Sequence, residues 1–253
     1  GFSSFSCCSL VVALAIALCC SSVGAQDAAD PTSRLFVVGG GIVINALASA
    51  EVLDTAAAVP KWTPYASMST ARWCFAAVTV GSRIFVLGGI DDHGFSLASV
   101  VVLDTAAAEP KWESYASLST KSAGFATVAV GSRLFAIGAT NGSPSASVEV
   151  LDTAAVEPKW SPYASMSTAR WEFAAVAVGS CIFALGGKDG NNNPLASVEV
   201  LNTTAAVPKW TPYASMSTVR SYLAAVAVGS RLFAVGGWNG TSKLALVEVL
   251  DTA

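Results

Sequence analysis

Gly236, Gly237 and Gly240, close behind the apolar run Arg231–Val235, have the spacing of a phosphate-cradling loop. Such a loop puts glycines between a strand and a helix, so that free N–H groups face the anion. The stretch is one of five, however. SRLFVVGG begins at Ser33, SRIFVLGG at Ser82, SRLFAIGA at Ser132, SCIFALGG at Ser180 and SRLFAVGG at Ser230. No amphipathic helix follows any copy, and no Lys-Ser or Lys-Thr follows the glycines. Five nucleotide sites without helices make no physical sense, so the glycines must serve the architecture.

Other reactive constellations are equally thin. A nucleophilic triad needs a base, usually histidine, and the only histidine is His93, in the loop with Asp91 and Asp92. One imidazole beside two carboxylates lacks the ligand set of a zinc site. Glu149, Glu199 and Glu248 recur at one place in successive repeats, which points to repeat architecture rather than to two acids converging in a pocket. Cys74 and Cys181 stand at non-equivalent places, without the clustered spacing of a disulfide framework or a zinc site. The sequence therefore predicts no catalytic residue, no bound cofactor and no metal site. The net charge of −3, with 12% charged residues, offers no basic footprint and argues against nucleic acid.

One segment reads as an address. Cys7 to Gln26 is apolar over about a dozen residues, too short to cross a hydrocarbon layer of ~30 Å comfortably. Val23-Gly24-Ala25 carries the small residues that a signal peptidase reads, so residues 1–25 are expected to be a cleaved signal peptide and residues 26–33 a short linker. The chain would then be secreted. The leading Gly1 and the absence of a basic residue before the apolar stretch weigh against this. The alternatives are an uncleaved membrane anchor, or an artefactual leader on a cytoplasmic protein.

The elements around the glycines follow one order. In the unit from Arg170 to Met216, Trp171–Val178 is apolar, Gly179-Ser180 makes a turn, and Cys181–Leu185 is apolar up to Gly186-Gly187. A polar loop follows, and then Ala196–Leu201 alternates, with Val198 and Val200 on one face and Ser197 and Glu199 on the other. A last segment brings Trp210 and Tyr213. Continuous apolar runs are strands buried on both faces, and alternation marks a more exposed strand. A helix-free repeat of roughly fifty residues, with four short antiparallel strands of graded burial, describes a propeller blade. The Trp of each outer strand (Trp62, Trp112, Trp160, Trp210) should pack between blades, and Asp54, Asp104, Asp152, Asp251 and Asn202 should accept backbone N–H bonds in the turn after the third strand.

Arg or Lys, an apolar strand, Gly-Ser, a second apolar strand, Gly-Gly, SVEVLD and a spaced Trp together resemble the kelch repeat, from Arg34 to Ala253. The resemblance implies an all-β, kelch-type β-propeller over residues 34–253, with units at approximately 34–69, 70–119, 120–168, 169–218 and 219–253. Gly138-Ala139 departs from the glycine pair, and LDTA stands where the family usually has aromatic-Asp-Pro. The first unit begins at its second strand and the last stops before its Pro-Lys-Trp strand. Five blades or part-blades are expected, three full and two three-stranded, imperfectly closed and truncated at both ends. The copper oxidases that share this fold need two histidines and a cross-linked Cys-Tyr pair, which one histidine excludes.

Differences between repeats concentrate in the loop after the glycines and just after the Ser-Thr pair. In an antiparallel four-stranded blade these loops share an end. The expected binding face therefore holds Arg72, Trp73, Asp91, Asp92, His93, Lys121, Arg170, Trp171, Lys188, Asp189, Asn191, Arg220, Tyr222, Trp238 and Lys243. Aromatic and arginine side chains are favoured interface anchors, and loops on a rigid scaffold are the usual place for recognition. The arginines have a structural alternative, stacking on blade aromatics. Asn141, Asn202 and Asn239 lie in Asn-x-Ser/Thr sequons and would carry glycans in the secretory pathway. The function expected is a non-catalytic module that binds a protein or peptide. The alternatives are an intracellular adaptor recruiting substrates to a ubiquitin ligase, and a secreted carbohydrate-binding or epimerase-like propeller.

Overall fold

The computed structural model describes residues 34–42, 45–140 and 142–252. The leader, the linker and Asn141 lie outside the described residues. Among these there is no helix. The first sheet holds β1 (Arg34–Val38), β4 (Ala50–Asp54) and β5 (Trp62–Tyr65), with a short hairpin of β2 (Gly41–Ile42) and β3 (Asn45–Ala46) in the intervening loop. Three four-stranded sheets follow. They are β6–β9 (Ala76–Val80, Arg83–Leu87, Val100–Asp104, Trp112–Tyr115), β10–β13 (Ala126–Val130, Arg133–Ile137, Val148–Asp152, Ser161–Tyr163) and β14–β17 (Ala174–Val178, Cys181–Leu185, Val198–Asn202, Trp210–Tyr213). A three-stranded sheet, β18–β20 (Ala224–Val228, Arg231–Val235, Val247–Asp251), ends the series. Each is an antiparallel meander in sequence order, as two-residue Gly-Ser turns and a short return loop require.

The chain divides into two compact units, one ending at Tyr115 and the other starting at Ala116. In the first, Phe36, Val38 and Ala50 meet Ile84, Val86, Val101 and Leu103 of the next sheet, with Met68 and Phe75 between them. In the second, Phe135, Ile137 and Val148 meet Ile182, Ala184 and Leu201, and Phe183, Leu185 and Val198 meet Leu223, Leu232 and Ala234. Apolar second strands thus pack on both faces. Each fully buried Leu, Val or Phe contributes about 1.5–3 kcal/mol.

Two side-chain devices repeat. A Phe of the second strand meets the Tyr of the fourth edge-on in Phe36–Tyr65, Phe85–Tyr115, Phe135–Tyr163 and Phe183–Tyr213, with centroids 5.2 to 5.4 Å apart. The outer-strand Trp donates its indole N–H backwards to the preceding repeat: Trp112 to Ala66 O at 2.8 Å, Trp160 to Ala116 O at 2.9 Å, and Trp210 to Ala164 O at 2.8 Å. Trp62, in the first sheet, is 39% exposed.

The turn carboxylates act as expected. Asp54, Asp104 and Asp152 accept the N–H two residues on, as does the amide oxygen of Asn202. The second glycine of the pair has a steric reason at Gly89, Gly187 and Gly237, clearest at Gly187. Its φ is +90°, and a Cβ there would lie 2.6 Å from Trp171 O and from Phe173 Cβ.

Candidate functional site

The segment entering the first strand of a blade and the loop after its second strand are joined by bridges beyond the ends of the strands. Trp73 pairs with Ile90 in the first unit, and Trp171 with Lys188 and Ser221 with Trp238 in the second. The N–H of Trp171 donates to Lys188 O at 3.2 Å, and that of Lys188 to Trp171 O at 2.9 Å. The two kinds of varied loop therefore share an end in these three blades. The next residue of the entering segment has left-handed backbone: Cys74 at φ 51°, Glu172 at 52° and Tyr222 at 53°, where the third repeat has Gly124 at 68°. Three residues other than glycine hold this costly conformation at the same end that carries the sequence differences.

Four of the expected face residues come together in the second unit. The Lys188 ammonium lies 5.5 Å from the Trp171 ring centroid, 4.4 Å from that of Tyr222 and 5.3 Å from that of Trp238. It pairs with Glu172 Oε2 at 2.8 Å and donates to the Tyr222 hydroxyl at 3.2 Å. Lys188 is 9% exposed, so its charge is balanced inside the protein by one carboxylate and three ring faces. The three rings are each half-buried. The Trp171 indole N–H, buried, has no acceptor among the described residues.

The arginines are placed differently from the expectation. Arg72, Arg170 and Arg220 are 1%, 0% and 0% exposed. Arg170 donates to Gly186 O at 2.8 Å, Ser197 O at 3.1 Å and Glu199 Oε1 at 2.8 Å. Arg220 repeats this with Gly236 O, Leu246 O and Glu248 Oε1. Arg72 donates to Gly88 O, Ser99 O and Ser99 Oγ. They tie the glycine corner to the start of the third strand, so these guanidinium groups are not exposed anchors of the expected face. Among the described residues they stack on no blade aromatic, whereas Arg83 and Arg133 do, each 5.4 Å from the ring of Phe85 or Phe135.

The same network sets the charge of the glutamates. Burial pushes the Glu199 carboxyl up, but the Ser167 N–H and Arg170 outweigh it and hold Glu199 below its usual range. At Glu248 the balance runs the same way, with Ser217 and Arg220 lowering the pKa to about 2. Desolvation lowers Arg170 and Arg72 from the usual arginine range; at Arg170 the neighbouring Glu199 opposes the shift.

The remaining expected residues are dispersed. Asp91 accepts the N–H groups of His93 and Phe95, and Asp189 those of Asn191 and Asn193, so both carboxylates close their own loops. The backbone N–H of Asn193 is the main cause of a lowered Asp189 pKa. Asp92, His93, Lys121, Asn191 and Lys243 are exposed, and Trp73 is half-buried. Among the described residues no three His, Cys, Asp or Glu side chains gather to hold a metal ion. Cys74 and Cys181 are half-buried thiols. Asn202 is exposed, while the Asn239 side-chain oxygen accepts the N–H groups of Thr241 and Ser242. No helix among the described residues is long and apolar enough to cross a membrane.

Glu172 was not singled out from the sequence, yet it supplies the counter-charge of Lys188. Nor were Glu199 and Glu248 read as the partners of buried arginines. A signal existed: Arg170 with Glu199 and Arg220 with Glu248 recur at nearly one spacing.

Antiparallel blade sheets, glycine corners and backward Trp bonds define a kelch-type β-propeller with five blade sheets. The solved structure of YjhT matches with a TM-score of 0.68 at 17% identity, over 81% of this chain and 69% of that one, a likeness that shows the fold alone. The kelch motif matches residues 71–119, 170–217 and 220–253, together more than half of the chain, and the chain belongs to the kelch-repeat family. No curated protein matches it. Propellers of this family commonly serve as protein-binding modules.

Proposed function

We propose that this chain is a non-catalytic module that binds a protein or peptide through the loop end of its blades. The observation that carries the reading is the cluster of Trp171, Tyr222 and Trp238 around Lys188. It stands where the repeats differ, on backbone held left-handed at Glu172 and Tyr222. Half-buried aromatic side chains on a rigid scaffold lose little freedom on binding and make strong anchors. Asp92, His93, Lys121, Asn191 and Lys243 lie at the same end of their own blades and would form polar rims.

The test is affinity capture from lysate and from culture medium, followed by reconstitution with the purified partner. Tyr222→Ala and Trp238→Ala, each checked for folding, are expected to weaken the complex at least about tenfold. A partner bound equally well by both variants removes this cluster from the interface.

A further inference from the structure

The acidic position of the third strand is not filled alike in every repeat. Glu199 accepts Ser167 N–H at 2.7 Å, Thr168 N–H at 3.1 Å and the Arg170 guanidinium at 2.8 Å. Glu248 accepts Ser217 N–H at 2.6 Å, Thr218 N–H at 3.1 Å and Arg220 at 2.6 Å. In the third repeat Glu149 accepts Ser119 N–H at 3.1 Å, and Ser122 stands where the arginine would be. The second repeat inverts this. It keeps the donors, Ser69, Thr70 and Arg72, but the residue equivalent to Glu199 is Val101.

The consequence is electrostatic. Arg72 is 1% exposed and forms no ion pair among the described residues, whereas Arg170 and Arg220 each have one. Among the described residues its NH2 group bonds only to Ser99 Oγ, at 3.2 Å. The N–H groups of Ser69 and Thr70 have no acceptor among the described residues. A buried guanidinium without a counter-charge is unfavourable, because desolvation is not repaid by attraction. Desolvation alone accounts for the lowered pKa of Arg72.

We propose that Ser69, Thr70 and Arg72 form a carboxylate-binding site, in which an external carboxylate group takes the place that the Glu199 and Glu248 side chains take in the later repeats. The donor set fits that chemistry. At Glu199 one oxygen takes the Ser167 N–H and the other takes Thr168 N–H and Arg170, so the set matches two coplanar oxygens with one negative charge. Ser69 is exposed and Thr70 half-buried, so a carboxylate would have to approach from the side of these two residues, because Arg72 itself is buried. Val101, 6% exposed, contributes no oxygen, and Val86 beside it stands where Ala184 and Ala234 stand in the later repeats. The carboxylate has two possible sources: a free small acid, or an acidic side chain of a bound peptide.

The experiment is a titration of the 15N-labelled full chain, read at the Ser69 and Thr70 amides. Its arms are sodium acetate, the peptide acetyl-Gly-Glu-Gly-amide, and sodium chloride at the same ionic strength. Saturable shifts at both amides are expected with acetate or the peptide and not with chloride. Shifts with acetate alone assign a free acid; shifts with the peptide as well assign a partner's side chain. The double variant V86A/V101E, which copies the Ala184–Glu199 pair, should bind acetate at least about tenfold more weakly, because its own carboxylate occupies the donors. V86A/V101Q, uncharged and of the same size, separates charge from packing and should melt below V86A/V101E. No saturable shift in the natural chain, equal shifts with chloride, or acetate binding undiminished in V86A/V101E would each overturn the proposal.

Discussion

The first strands of the fourth and fifth repeats are the same pentapeptide, AAVAV, yet they live in different surroundings. In β14 all five residues are half-buried, whereas in β18 exposed and half-buried residues alternate. The third strands repeat the contrast. Val198, Glu199 and Leu201 of β16 are buried, while Val247, Glu248 and Leu250 of β20 are not. The cause is a neighbour. The face of β14–β17 that carries Phe183, Leu185 and Val198 is covered by Leu223, Leu232 and Ala234 of the next sheet. The opposite face of β18–β20 leaves Val226, Val228, Val247 and Val249 46 to 59% exposed. Burial in a repeat array is therefore a property of position in the series, and nearly identical strands acquire different energetic weight.

Substitutions at matched positions should expose this difference. The largest effect is expected at the ion pairs. Glu199→Ala leaves Arg170 uncompensated where the two side chains are 0% and 4% exposed, and should cost about 3–5 kcal/mol of unfolding free energy in urea titration. Glu248→Ala should cost clearly less, since the Glu248 side chain is 23% exposed and solvent shares its charge. Equal losses would mean that position in the series does not matter. Next comes the apolar pair. Leu201→Ala, at 0% exposure, is expected to cost about 2–5 kcal/mol, and Leu250→Ala less than half of that.

Acid sharpens the comparison further. The Glu248 carboxyl is held at about 2, below its ordinary 4.5, so its contribution is fully present above about pH 4.5 and is lost as pH falls through about 2. Glu199, also lowered, acts in the same direction. Unfolding free energy measured across that window should fall more steeply in the natural chain than in Glu248→Gln, and parallel curves would remove the ion pair as the cause. The smallest effect belongs to the open face. Val249→Thr, at a position 59% exposed, should change stability by no more than about 0.5 kcal/mol.

The sequence made the strand order legible because the alternation and the glycine pairs are local signals. Cys181–Leu185 matches β15 residue for residue, and the turn roles of Asp104 and Asp152 follow from one side chain and the N–H two residues on. The first strand was read too long. It was expected from Trp171, but β14 begins at Ala174, because Glu172 turns into left-handed backbone. Nothing in a glutamate announces that turn, although Gly124 at the same place in the third repeat was a hint. The candidate site was legible as a set of loops and not as contacts. Charged residues beside varied loops read as surface, yet Arg170 is buried because its acceptors lie 16, 27 and 29 residues further on. The ring cluster at Lys188 likewise joins two repeats, and no single repeat contains it.

The backward Trp bonds bear on how such a gene can change its length. Each indole N–H of Trp112, Trp160 and Trp210 ends on a main-chain carbonyl, which every repeat carries whatever its side chains. An unequal crossover between two near-identical copies that adds or removes one whole period therefore hands each tryptophan a fresh acceptor of the same kind. Blade number can drift by whole steps while every junction stays well made, and selection is left to act on the loops.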